Sequence, residues 1–445
     1  MNSAMPLRWR TWLQTAEKRL SQVGLLWQDP ELFGRNLSQW VNPALFEQRL
    51  MDVVSTPPMN VQFVASACSQ PRLNVLDTAW TMTGMTGGPN TVINLAGRLA
   101  RQGLAVRLVA TVRPPTLDAA AFRSHLAGLL GPGAVPDLPV VSAAAASEPL
   151  VVGAGDVFLA THWRTAHQLK AVLPMLPIQS FLYMVQEYEA GFYPWSSNFA
   201  LAAETYGQDF WPIINQSLLA EYVLSQPLGR LDHDVTRQRA VVFEPAVDAR
   251  VFYPPPPGAA GRPKRLLFYA RPTNSRNMFG LGLLALRDVA ADPEFAGWEF
   301  LSIGSRDSIP DFPLGAGHWL RRAPWSDYGS YADLLRSADI LLCPMLSPHT
   351  SYPVLEMVAC GGLSITNSFA TKTTAALAKL SPNIIAVPAT MTGFVDGLRQ
   401  GARMINAGRP ARAPLAVAQN WSMSLDPVAT KVAAIIHQMV DATRR

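Results

Sequence analysis

The stretch from Ala338 to Gly362 limits the choice of folds most. The apolar run Ala338-Asp339-Ile340-Leu341-Leu342-Cys343-Pro344 gives way to polar Ser347-Pro348-His349-Thr350-Ser351, and then to an apolar segment with Pro353 near its start and Gly361-Gly362 at its end. Short continuous apolar runs are found in parallel strands buried on both faces. Proline suits the first helical position, where a missing N–H is no loss, and glycine suits the stop. The segment therefore reads as strand, polar loop and short helix. A helix start exposes N–H groups, so Ser351 and Tyr352 are expected to border a phosphate or another anion. Glu356, one turn in, is placed to accept a hydrogen bond from a sugar hydroxyl beside that anion. Read alone, it equally well complements the helix dipole.

The same alternation runs through most of the chain, and strands alternating with helices imply parallel sheets. At 445 residues the chain exceeds one ordinary core, so two domains are expected. With 49% hydrophobic and 16% charged residues it should bury a large core. The formal net charge of +5 is scattered and contains no long basic run. That favours an anionic substrate or membrane surface over dedicated nucleic-acid binding. Cys68, Cys343 and Cys360 are far apart and lie in or beside apolar segments. They read as buried thiols in a reducing compartment, without metal-ligand spacing. No signal-peptide core opens the chain and no apolar run is long enough to span a bilayer, so a cytoplasmic protein is expected.

Residues 1–59 read as a helical extension, with Trp9, Trp12, Leu13, Ala16, Leu20, Val23 and Trp27 at helical spacing and Arg8, Arg10, Lys18 and Arg19 between them. Such a helix suits packing on its own domain, a homodimer contact, or a peripheral seat on an anionic membrane at its inner face. From residue 60 strand-like runs begin, followed by the glycine loop Thr83-Gly84-Met85-Thr86-Gly87-Gly88-Pro89 and a helix. Gly87 and Gly88 would let backbone approach a ligand, although the spacing is not the dinucleotide fingerprint. Strand ends then deliver His162 and the acids Glu187 and Glu189, and ligand-facing groups of parallel sheets gather at such ends. A proline-rich connection ending near Lys264 separates a second α/β run. This run carries Arg271 and Arg276 after its first strand and Gly304-Ser305 after its second. Arginine's planar fork pairs two phosphate oxygens, so Arg271 and Arg276 point to a diphosphate, with Arg271, at the strand end, the stronger candidate.

The order of glycine loop, Glu244-Pro245-Ala246-Val247-Asp248, strand then Arg271, and Ser351-Tyr352-Pro353-Val354-Leu355-Glu356 resembles the GT-B nucleotide-sugar glycosyltransferases of family 4. More narrowly, Val185-Gln186-Glu187-Tyr188-Glu189, the loop from Arg271 to Asn277, and Ser347-Pro348-His349 are similar to bacterial rhamnosyltransferases of the WsaF type. The resemblance covers about residues 60–440 and implies an α/β GT-B fold, two Rossmann-like domains facing a cleft. Residues 60–240 would form the acceptor side, 241–425 the nucleotide-sugar side, and 426–445 a helix crossing back to the first domain. It implies a dTDP-sugar donor, dTDP-β-L-rhamnose, and a glycan or lipid-linked glycan acceptor in surface polysaccharide biosynthesis. Glu356 would hold the nucleotide's sugar ring, and Arg271, Arg276, Ser351 and Tyr352 the diphosphate. Gly304, Ser305 and Trp325 would form the base pocket, with Gly87, Gly88 and His162 facing the transferred sugar or acceptor. Neither metal nor cofactor is expected, because side chains and the helix dipole can offset the leaving charge.

One departure stands out. Many family-4 enzymes carry a glutamate eight positions before the second one, and here that position is Pro348. If transfer inverts configuration, His162 or Glu187 would serve as base; if it retains configuration, none need stand opposite the leaving group. The sequence also accommodates a transferase or epimerase for another nucleotide sugar, or a non-catalytic nucleotide-binding scaffold.

Overall fold

Two parallel sheets organise the chain in the computed structural model, which describes residues 56–85, 87–256, 262–305, 309–324, 328–408 and 413–444. Most of the expected N-terminal extension, and Trp325, lie outside the described residues. The first sheet has seven strands in the order β4-β3-β2-β6-β7-β8-β9. These are β2 (Arg72–Asp77), β3 (Ala105–Ala110), β4 (Val140–Ser142), β6 (Asp156–Ala160), β7 (Phe181–Val185), β8 (Phe210–Asn215) and β9 (Val241–Phe243). The short strands β1 (Val61–Phe63) and β5 (Leu150–Val152) pair separately. Because β9 pairs with β8, the first sheet runs past the expected boundary at residue 240.

The second sheet, also of seven strands, has the order β12-β13-β11-β10-β14-β15-β16. Its members are β10 (Arg265–Tyr269), β11 (Glu299–Ile303), β12 (Phe312–Gly315), β13 (His318–Arg322), β14 (Ile340–Leu342), β15 (Leu363–Asn367) and β16 (Ile384–Val387). All pairings are parallel except β12 with β13. The central strands are buried at nearly every position. That is why they read as continuous apolar runs and do not alternate.

Among its parallel strands each sheet reverses its order between neighbours, at β2 and β6 in the first and at β10 and β14 in the second. Ligands of open parallel sheets bind outside the carboxyl ends of strands at such points. The helices that frame them are α1 (Gly87–Arg101), α2 (Trp163–Val172), α3 (Phe279–Val289), α4 (Tyr352–Ala359), α5 (Met391–Ala407) and α6 (Trp421–Ala442). The expected glycine loop is shorter than its sequence suggests, since Gly87 and Gly88 already form the first turn of α1. Residues 246–249 and 418–419 run side by side, with Val247 and Ala249 donating to Ala418 and Gln419 at 2.9 and 3.1 Å. Beyond this double crossing, α6 lies in the apolar core of the first sheet through Leu425, Val428, Val432 and Ile436. Cys343 and Cys360 are buried, whereas Cys68 is only half-buried, a correction to the expectation of three buried thiols.

Candidate functional site

The reversal point of the second sheet places the loop after β10, with Arg271 and Arg276, beside the loop from Leu346 to Ser351 after β14. Buried groups hold the second loop from both sides. Lys372, fully buried, donates to Met345 O at 2.9 Å, and Asn367 both donates to that oxygen at 3.1 Å and accepts from Met345 N–H at 2.7 Å. From the first sheet, Gln216 accepts from Thr350 N–H at 2.8 Å and donates to its hydroxyl at 2.5 Å. Asn215 donates to the Tyr352 hydroxyl at 2.9 Å. Ser351 (φ 77°) and Gln216 (φ 87°) both adopt left-handed backbone. Non-glycine residues there cost about 1–3 kcal/mol each and persist only where their surroundings over-determine them, a pattern concentrated at ligand sites.

Glu187, at the end of β7, reaches across to this loop. Its carboxylate pairs with the Arg276 guanidinium and accepts from the Ser347 hydroxyl at 2.6 and 2.7 Å. Arg276 also stacks on Phe192, 4.5 Å from the ring centre. Two candidates given separate roles by sequence thus meet: the cation expected on diphosphate and the acid expected near the acceptor. Burial pushes the Lys372 ammonium down to about 8 and the His349 imidazole to about 4.

The helix start itself differs in one respect from expectation. The Ser351 hydroxyl lies 3.7 Å from the Cys343 sulfur and the Tyr352 hydroxyl is held by Asn215. Any anion there meets first-turn N–H groups, which have no helical acceptor, and not those two hydroxyls. Glu356 is buried and accepts from Tyr331 at 3.1 Å, and burial raises its carboxyl to about 7. Gly304 (φ 91°) ends β11 with the Tyr269 ring so close that an added Cβ would lie 2.5 Å from it, and Ser305 follows half-buried. On the first sheet, Gln186 donates to Gly88 O at 3.3 Å, and a Cβ on Gly88 would lie 3.2 Å from that amide. At the reversal point of that sheet, His162 Nε2 stands 3.7 Å from Asp77 Oδ1. Glu189 instead turns inward: it accepts from Trp163 N–H at the start of α2 and from Tyr183 at 3.4 Å, and burial raises it to about 7. Its position caps a helix.

Residues 72–216 match the family model for the WsaF N-terminal domain, and residues 264–399 match the model for the WsaF C-terminal domain. The chain belongs to the WsaF family of GT-B glycosyltransferases. Among curated proteins, the O-antigen biosynthesis protein RfbC of Myxococcus xanthus is 34% identical over 220 residues, 48% of this chain. Those residues span only 15% of RfbC. Among solved structures, sucrose-phosphate synthase from Thermosynechococcus elongatus superposes with a TM-score of 0.51 at 12% identity, over 84% of this chain and 100% of that one. Anabaena HepE in complex with UDP-glucose gives 0.50 at 11%, over 84% and 98%. At such identities the likeness establishes the GT-B fold alone.

Against that family background, several site residues escaped sequence reasoning: Asn215, Gln216, His349, Lys372 and Asp77. Gln216 and Lys372 lie 134 and 27 residues from their partners Thr350 and Met345. Nothing local marks them. His349 did carry a signal, being the ring beside Pro348 in a polar loop after a buried strand. Among the described residues no cluster of His, Cys, Asp and Glu could hold a metal ion, and no helix is long and apolar enough to cross a membrane.

Proposed function

We propose that the protein transfers a sugar, L-rhamnose, from dTDP-β-L-rhamnose to a glycan or lipid-linked glycan acceptor of a surface polysaccharide. The observation that carries this reading is the cationic, donor-rich reversal point of the second sheet. Arg271, Arg276 and Lys372 lie there around the loop leading into α4, a setting that suits a nucleoside diphosphate. The 34% identity with part of RfbC, an O-antigen biosynthesis protein, supports the polysaccharide setting.

In the reaction, an acceptor hydroxyl oxygen bonds to the anomeric carbon as the bond from that carbon to the diphosphate oxygen breaks. The electron pair leaves with dTDP, and the hydroxyl proton passes to a base or to the departing phosphate. Preorganised N–H donors aimed at the leaving oxygens are the main means of lowering such a barrier. Glu187 already accepts from Arg276 and Ser347. His162, beside Asp77, is therefore the freer base on the acceptor side if configuration inverts. In this reading Glu356 accepts from the ribose hydroxyls.

Purified protein incubated with dTDP-rhamnose and a rhamnose-containing acceptor should release dTDP and extend the acceptor. Turnover with another nucleotide sugar but none with dTDP-rhamnose would replace the donor assignment. Tight dTDP binding without turnover on any donor would favour a scaffold role.

A further inference from the structure

His349 is a buried ring that the contacts of the donor loop leave half used. It is 4% exposed. Its Nδ1 accepts the Ser351 N–H at 2.9 Å, so the proton of the neutral ring sits on Nε2. Burial keeps the ring neutral across the ordinary pH range. Among the described residues Nε2–H has no acceptor.

A buried donor without a partner is unfavourable, and native structures tolerate few without a reason. The neighbourhood repeats the imbalance. Arg276 uses its terminal nitrogen on Glu187 while its Nε has no acceptor, and the Lys372 ammonium has three protons, one of which is on Met345 O. The nearby carboxylate, Glu187, is already occupied by Arg276, the Ser347 hydroxyl and the Tyr188 N–H. The group that pairs with the His349 and Arg276 donors must therefore bring acceptors. Because the buried Oδ1 atoms of Asn277 and Asn215 are unpaired as well and could take a hydroxyl proton, the choice of ligand rests on charge: a phosphate oxygen beside Arg276 forms charge-assisted hydrogen bonds, stronger than those of a neutral sugar hydroxyl.

We infer that His349 donates its Nε2–H to the diphosphate of the nucleotide-sugar donor, next to Arg276. The inference rests on the nucleotide-sugar reading given above and adds to it a neutral donor from the loop itself. In this inference phosphate reaches Nε2 by taking the place of the Glu187 carboxylate on Arg276 and Ser347.

The test uses the full chain and long-range 1H–15N correlation of the histidine rings, with thymidine, dTDP and inorganic pyrophosphate as probes. The free protein should show a neutral, Nε2-protonated His349, and saturation with dTDP or pyrophosphate should move its Nε2–H to lower field while thymidine leaves it in place. His349→Leu should weaken both phosphates about 5–30-fold by calorimetry, and His349→Gln, which retains an N–H near the Nε2 position, should recover most of that loss. An Nδ1-protonated or charged ring in the free protein would overturn the inference. So would an unmoved Nε2 at saturation, or wild-type dTDP affinity in His349→Leu. Failure of dTDP-rhamnose turnover, with the Nε2 signal still moving on pyrophosphate, would retire the donor assignment and leave the role of His349 standing.

Discussion

Under the proposed function, the ion pair between Glu187 and Arg276 would compete with donor binding, because it sets a carboxylate on a cation assigned to phosphate. Arg276→Ala, and separately Arg271→Ala, should each weaken dTDP by about 1.5–3 kcal/mol, the range of a charge-assisted hydrogen bond. Glu187→Gln should tighten dTDP several-fold while lowering transfer, because a ligand gains whatever the competing internal contact gives up. Calorimetry with dTDP checks all three variants, and unchanged affinity in Glu187→Gln would refute the competition. A second residue-level consequence concerns Glu189 and Glu356, whose carboxyls burial raises from 4.5 to about 7. Both hold a proton more tightly folded than unfolded. Their contribution to stability is complete below about 4.5 and lost as pH rises through about 7. Glu189→Gln and Glu356→Gln should therefore each flatten the decline in thermal midpoint between pH 4.5 and 7 relative to wild type. For Glu356, nucleotide binding should strengthen over the same window, since the ionised carboxylate accepts more strongly from a ribose hydroxyl.

Among elements, β10 and α3 set the loop that carries Arg271 and Arg276, and their spacing depends on Gly282. A Cβ there would lie 2.5 Å from the Phe268 ring, which is fully buried. Gly282→Ala should lose about 1–3 kcal/mol of stability by overpacking, against the roughly 1 kcal/mol that alanine normally adds to a helix. Urea denaturation measures the difference, and a stabilised variant would show that the helix can shift without consequence. Such packing explains how much could be read from the chain. The apolar runs of β10, β14 and β15 and the proline and glycine that bound α4 are local signals, so the parallel sheets and the short helix α4 were legible. The positions of Arg271 and Arg276 after a strand end and of Glu356 in α4 were legible for the same reason. The clamp was not: Gln216 holds Thr350 from 134 residues away, and a glutamine after a strand has no periodicity to betray a partner. Glu189 misled for the same reason, since its use as a cap for α2 depends on a helix that begins at Trp163.

At the scale of the whole molecule, the chain crosses between the sheets at 244–249 and again at 418–420, so α6 belongs to the first core although its sequence follows the second. It buries Leu425, Val428, Val432, Ile436, Met439 and Val440 there. It also sets Asp426 against Arg98, a buried arginine of α1, which donates further to Ser422 at 3.2 Å. Burying an aliphatic side chain of this size contributes about 1.5–3 kcal/mol, an upper estimate for a compact unfolded chain. Six of them amount to on the order of 10 kcal/mol, which is comparable with the entire net stability of an ordinary domain, about 5–15 kcal/mol. Removing residues 421–445 should accordingly unfold the first half, exposing the faces of α1 and the sheet that α6 covers. The truncated chain should bind a hydrophobic dye and lose cooperative unfolding of that half. Asp426→Ala should be far milder, since the Asp426 side chain is 53% exposed and water can replace part of what Arg98 loses. Because α1 begins at Gly87 beside Gln186, and its Thr91 meets the Tyr352 hydroxyl, the same truncation should abolish transfer. A truncated protein that unfolds cooperatively at the wild-type midpoint would mean that α6 is an appendage and that the first sheet closes its core without it.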